Sequence, residues 1–192
     1  MTRARNLPVA LAALGLALTA TPAAADDDDK DRGFRARLSG FNEVHFSAGP
    51  PATLRGAVSS TGRGTFRATL DRRSEAIHYK LTYDGLEGTV TQAHIHFGQH
   101  HTVGGITVWL CQTPGTPAPP AVAALTPQCV PEGTVSGTIT PAQVLATTGQ
   151  GLDAGEFGEL LRAIRAGATY ANVHSSLFPP GEIRGQIRTD DD

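Results

Sequence analysis

Thr89-Val-Thr-Gln-Ala-His-Ile-His-Phe-Gly98 decides how the rest of the chain is read. β-Branched and aromatic residues alternate with polar ones and a glycine closes the run, which is the pattern of a β-strand. Successive side chains on a strand point to opposite faces. Ala93, Ile95 and Phe97 therefore share an apolar face that requires a core, while Gln92, His94 and His96 share the other. Two imidazoles two residues apart on one strand face offer two nitrogen ligands to a single metal ion without bending the backbone. Two ligands hold a metal poorly, so the question for the rest of the chain is whether it supplies a third.

Short alternating runs lie on both sides of this strand. Residues 34–38, 63–70 and 76–83 precede it; 106–110, 133–139, 169–174 and 182–187 follow. The 22 glycines and 13 prolines, set against 6% aromatic residues, suit many short strands joined by turns. Two helices are expected late in the chain. Thr140-Pro-Ala-Gln143 is a capping box with proline at the first helical position, predicting a short helix to about residue 146. Asp153-Ala-Gly-Glu156 is a second capping signal. After it Phe157, Leu160, Leu161 and Ile164 form one apolar stripe, expected to be buried, and Gly167 is the expected stop. The fold class that follows is all-β: an antiparallel β-sandwich or Greek-key barrel of about eight strands with two short inserted helices.

The third imidazole comes from the strand at 169–174. Ala171 and Val173 take its apolar face, and Tyr170, Asn172 and His174 the polar one. If this strand neighbours the first, His94, His96 and His174 converge on one ion. Three imidazoles suit copper, with zinc as the alternative. Protons are expected to compete near the ordinary imidazole value of about 6.5. His100, His101 and His45 are candidate additional ligands. Gln92, Asn172, Glu182 and Arg184 are candidates to support the ligands from behind, although Glu182 and Arg184 share a strand face and also suit a cross-strand ion pair. The competing reading is a structural polar network with no metal.

Cys111 and Cys129, the only two cysteines, flank a proline-rich connection. In an exported protein they read as a disulfide; the alternative is a thiolate metal ligand beside the histidines. Export is indicated by Arg3 and Arg5, the apolar run 7–20 and Ala23-Ala24-Ala25, which together form a secretory signal over 1–25. An acidic linker (26–33), one domain (34–188) and an acidic tail (189–192) complete the expected organisation, with a secreted or periplasmic destination and no transmembrane segment. With 16 Lys+Arg against 18 Asp+Glu, no basic stripe points to a nucleic acid partner. No Ser-His-Asp signature, phosphate loop or paired carboxylate motif marks a catalytic site, so no catalytic residue is assigned.

Five stretches resemble the CHRD domain, the module named from chordin. They are Leu38-Ser-Gly-Phe-Asn-Glu-Val44, Gly85-Leu-Glu-Gly88, Ala93-His-Ile-His-Phe-Gly98, Tyr170-Ala-Asn-Val-His174 and Gly181-Glu-Ile-Arg-Gly-Gln-Ile187. The resemblance implies an extracellular, immunoglobulin-like or barrel-like β domain, with His94, His96 and His174 on motif positions. His45 departs from the proline that family members often carry there. The His-Ile-His-Phe-Gly stretch is also similar to the copper strand of Cu/Zn superoxide dismutase, but the connection 111–133 lacks the His and Asp residues of that enzyme's zinc loop. The expected role is extracytoplasmic metal handling. The alternatives are a binding module for a protein or polysaccharide partner, or a mononuclear copper redox enzyme.

Overall fold

A computed structural model describes residues 33–45 and 56–191. The expected signal segment 1–25 and most of the expected acidic linker lie outside these residues. The alternating runs become antiparallel strands: β1 (Gly33–Ser39), β2 (Arg63–Asp71), β3 (Ala76–Asp84), β4 (Val90–Phe97), β5 (Gly105–Cys111), β6 (Gly133–Ile139), β7 (Thr169–Ser175), β8 (Ile183–Gln186) and the two-residue β9 (Arg188–Thr189). They pair in the order β5-β4-β7-β8-β1-β2-β3-β6, with β9 added beside β1. The sheet curls into a nearly closed barrel, as the alternation predicts. One apolar set fills its interior, including Phe34, Phe66, Ile77, Leu81, Ile95, Leu110, Val173 and Ile183.

β5 and β6 are the two ends of the pairing order, and their junction is closed by side chains. Tyr79 on β3 donates its hydroxyl to the Leu110 carbonyl on β5 at 2.6 Å. Its phenol lies over Gly137 of β6, where any Cβ would meet the Tyr79 hydroxyl. Burial pushes the Tyr79 phenol far up, so it remains a donor. Cys111, the last residue of β5, is bonded to Cys129, four residues before β6 begins. The disulfide thus ties one barrel edge to the segment that enters the other, and the thiolate-ligand alternative is removed because no free cysteine remains. A loop of this size is worth about 3 kcal/mol through the unfolded chain. The Cys111→Ser/Cys129→Ser variant is expected to lose about that much, read from urea midpoints. An unchanged midpoint contradicts the seam role.

Four local expectations are corrected. The Thr140 capping box forms, with both reciprocal hydrogen bonds, but it caps only a single 3-10 turn, Pro141–Gln143. Val144 then turns extended and is buried, and Leu145 N–H bonds the Thr107 carbonyl, so the sheet recaptures the chain. The connection 112–132 contains a helical turn that was not expected, α1 (Pro120–Ala123). Buried Gln112 organises it by donating to the Ala123 and Thr126 carbonyls and accepting from Ala118 N–H. The last helix, α2 (Phe157–Arg165), starts after Glu156, since 153–156 close a separate turn, with Glu156 N–H on the Asp153 carbonyl at 3.3 Å and Gly155 at the non-helical φ of +85°. Phe157, Leu160 and Ile164 of its stripe are buried in the barrel's apolar cluster, joined by buried Ala163, whereas Leu161 is only half-buried. Finally, the acidic tail is not all solvated: Thr189 pairs with Phe34, and Asp190 N–H bonds the Gly33 carbonyl.

Candidate metal centre

β4 and β7 are neighbours, which was the missing condition. Their register sets Gln92 opposite His174, His94 opposite Asn172 and His96 opposite Tyr170. On the other side of β4, the pairing with β5 slips between Ala93 and His94 and again between Ile95 and His96. Ala93, Ile95, Ala171 and Val173 fill the barrel, so the histidines stand on its outer wall. That wall is not exposed. His94, His96 and His174 are 0%, 7% and 5% accessible, with the loop after β4 reaching His96 through the Gly104 carbonyl and the turn after β7 reaching His174 through the Pro179 carbonyl.

One ring nitrogen from each histidine lies within 4.8 Å of those of the other two. His94 Nδ1 is 3.2 Å from His174 Nε2. His174 Nδ1 donates to the Pro179 carbonyl at 2.8 Å, and His96 Nδ1 to the Gly104 carbonyl at 3.0 Å. These backbone acceptors fix the tautomers, leaving the Nε2 lone pairs of His96 and His174 facing inward. Backbone carbonyls holding the far nitrogen are the usual support of ligating histidines. Among the described residues, His94 Nε2 and His96 Nε2 are buried without a hydrogen-bond partner. Leaving such atoms orphaned costs free energy, so they fit a missing ion better than a completed polar network. Metal–nitrogen bonds of about 2.1 Å bring two ligand atoms to at most about 4.2 Å, so holding an ion requires this cluster to tighten slightly.

Aromatic rings fix two of the imidazoles. Trp109 packs edge-on against His94 at 4.3 Å between centroids. Tyr170 stacks on His96 at 4.7 Å with planes 3° apart. Arg184 in turn covers Tyr170, with its guanidinium carbon 3.7 Å from the ring centre. Arg184 also donates to the Thr102 carbonyl at 2.8 Å and the Gln99 carbonyl at 3.4 Å. It therefore holds both the ring behind His96 and the loop whose Gly104 carbonyl orients His96.

The remaining sequence candidates are placed as follows. His100 and His101 are exposed, in contact with each other with their rings tilted by 54°, and outside the cluster. His45 is half-buried and also outside it. Asn172 donates to Glu43 and to the Ile183 carbonyl, not to a histidine. Gln92 faces His174 in register and is half-buried. Glu182 makes neither the ion pair with Arg184 nor a histidine contact. Its carboxylate accepts from Ser60 at 2.6 Å and from the N–H groups of Glu87 and Gly88 at 2.7 and 3.4 Å. Burial raises its pKa, but these bonds together with one from Ser175 hold it below the ordinary value.

Glu43, Trp109 and Tyr170 were not singled out from the sequence. Glu43 is 4% accessible and accepts from Asn172 at 2.7 Å and Val44 N–H at 2.9 Å. Burial raises its pKa against the lowering pull of the Val44 N–H, Arg184 and Asn172. Gly181 is required beside it, at φ +137° and with a Cβ position only 2.6 Å from the Glu43 carboxylate. The one sequence signal for Glu43 was its place in the first family motif.

All three imidazoles are held neutral. Burial, then the charges of His174 and His96, push His94 well below its ordinary value. Burial brings His96 to about 4 and also lowers His174. Proton competition for a metal thus moves below the pH of about 6.5 expected from free imidazole. Folding carries the same signature. Between about 6.5 and 4 the unfolded chain binds protons that folded His96 refuses, so stability falls as pH falls. At about 1.4 kcal/mol per pKa unit, His96 alone removes on the order of 3 kcal/mol from the metal-free protein by pH 4. Urea midpoints are expected to decline through this window and to decline less in His96→Gln. Midpoints independent of pH contradict the burial.

An antiparallel barrel with a roofed three-histidine cluster on its outer wall defines the class. The CHRD domain family model matches residues 34–187, and the chain belongs to that family. No curated protein and no solved structure matches the chain. Among the described residues, no helix is long and apolar enough to cross a membrane.

Proposed function

We propose that this CHRD domain is an extracytoplasmic module that binds one transition-metal ion through His94, His96 and His174, with copper favoured and zinc the alternative. The observation that carries this reading is the set of three buried, converging imidazoles, two of them anchored from behind by backbone carbonyls, in which His94 Nε2 and His96 Nε2 have no hydrogen-bond partner and His174 Nε2 meets only His94 Nδ1. An all-nitrogen set disfavours magnesium and calcium, which take oxygen ligands. The usual affinity order puts Cu(II) above Zn(II), and export removes cytosolic thiol competitors. A bound ion would supply Lewis-acid or redox chemistry. The protein's own contribution is to hold three neutral imidazoles ready and to exclude water. That combination suits capture, storage or transfer of the metal outside the cytoplasm. The test is calorimetric titration of tag-free protein with Cu(II) and with Zn(II) at neutral pH. One equivalent of Cu(II), bound more tightly than Zn(II), is expected. Failure to bind either ion contradicts the proposal and returns the histidines to a structural role.

A further inference from the structure

The outer faces of β1, β2, β3 and β9 carry cations that the metal centre does not use. Register sets Arg188 opposite Arg35, Arg35 opposite Arg67, and Arg67 opposite Lys80, and all four are exposed. The row is invisible in the linear sequence, because its members come from four separate strands. At about 4.8 Å between strands it runs for roughly 14 Å. Like charges directly opposite on a ladder repel, so the row works against folding. Little relieves it. Asp190 approaches Arg35 only to 4.0 Å, and Asp84 is taken by Arg63 at 2.6 Å. Among the described residues, Arg37, Arg67, Lys80 and Arg188 form no ion pair. Beside the row lies a concavity of about 440 Å³ whose lining includes Arg35, Arg37, Arg67, Arg188 and His100 but no carboxylate. Burial, and after it His101, Arg184 and Arg188, hold the His100 imidazole below its ordinary value.

We propose that this cationic row and the concavity beside it bind a linear acidic polysaccharide, with the anionic groups of successive sugars lying along Arg188, Arg35, Arg67 and Lys80. Guanidinium forks match carboxylate and sulfate oxygens two bonds at a time. Exposed Thr65 and Thr69 stand between the cations on β2 and offer hydroxyls to sugar hydroxyls. A single-stranded nucleic acid is the weaker fit, since these outer faces present no exposed Phe, Tyr or Trp on which a base would stack. None of the three clustered histidines lines this concavity, and the proposal does not rest on metal binding.

The test uses the full exported chain and three probes at physiological salt: polygalacturonate, its methyl-esterified uncharged form, and inorganic polyphosphate. Polygalacturonate is expected to bind, with affinity falling steeply as salt rises. Arg37→Gln/Arg67→Gln is expected to weaken binding by an order of magnitude or more. Arg73→Gln/Arg162→Gln, which removes the same charge elsewhere on the surface, is expected to leave it unchanged. The groove variants relieve repulsion, so their melting temperatures are expected to hold or rise, and Arg188→Gln repeats the test at an independent position. Equal losses in both double variants, or equally tight binding of polyphosphate or the esterified polymer, overturn the proposal. So does a requirement for neutralising Asp26–Asp29 before polygalacturonate binds, which would make the chain's own acidic run the occupant.

Discussion

His174→Ala is expected to lower Cu(II) affinity by well over the 10–100-fold that loss of a supporting contact produces, because it removes a ligand and not its support. His174 is the only one of the three histidines on β7, while His94 and His96 come together on β4. Without it the site falls back to two imidazoles on one strand. The ring is also the partner of His94 at 3.2 Å, so its loss frees His94 Nδ1 as well as removing a ligand. His94→Ala and His96→Ala are expected to act in the same direction, and the triple variant to bind no copper at this site. His78→Ala is the control. His78 is exposed on β3 and bonds Thr138, far in the pairing order from β4 and β7. Calorimetry on tag-free variants reads the series, and circular dichroism checks that each still folds. A triple variant with wild-type affinity removes the site.

Leu160→Ala is expected to destabilise the domain by about 2–5 kcal/mol, the range for deleting a fully buried leucine. Leu160 is 0% accessible and belongs to the same apolar cluster as the barrel interior. α2 has Phe157 and Ile164 on the same face, so the gap left by Leu160 lies between two fixed side chains and collapses poorly. Leu161→Ala is expected to cost less, since that side chain is half-buried. Urea midpoints of the two variants decide the matter. Equal losses, or a loss near zero at Leu160, contradict the packing of α2 onto the barrel.

Much of the barrel was legible because its strands alternate cleanly. Phe66, Ala68 and Leu70, or Ile77, Tyr79 and Leu81, face inward as their spacing requires. The helices were less legible because tertiary pairing overrode local signals. The Thr140 capping box predicts a helix, yet burial of Val144 and the Leu145–Thr107 bond end it after one turn. A stripe of four apolar residues does not show which one tilts outward, hence the difference between Leu160 and Leu161.

At the site, the convergence of the histidine trio was legible because β4 and β7 each carry histidine on the face opposite an apolar set. The surroundings were not. Asn172 finds Glu43, 129 residues away, only because the loop after β1 folds back over β7 and β8. Arg184 reaches Tyr170 because β8 pairs with β7, a neighbour relation that strand periodicity does not encode. Polarity was misleading too: the polar face of β4 is buried under loops that have no alternation to announce them.

Whether the three imidazoles share one ion is read most directly from electron paramagnetic resonance of the protein loaded with one equivalent of Cu(II). Hyperfine structure from three equatorial nitrogens, reduced to two in His174→Ala, is the expected result. A spectrum showing oxygen-dominated coordination, or one unchanged by His174→Ala, contradicts the assignment of His94, His96 and His174 as a metal centre.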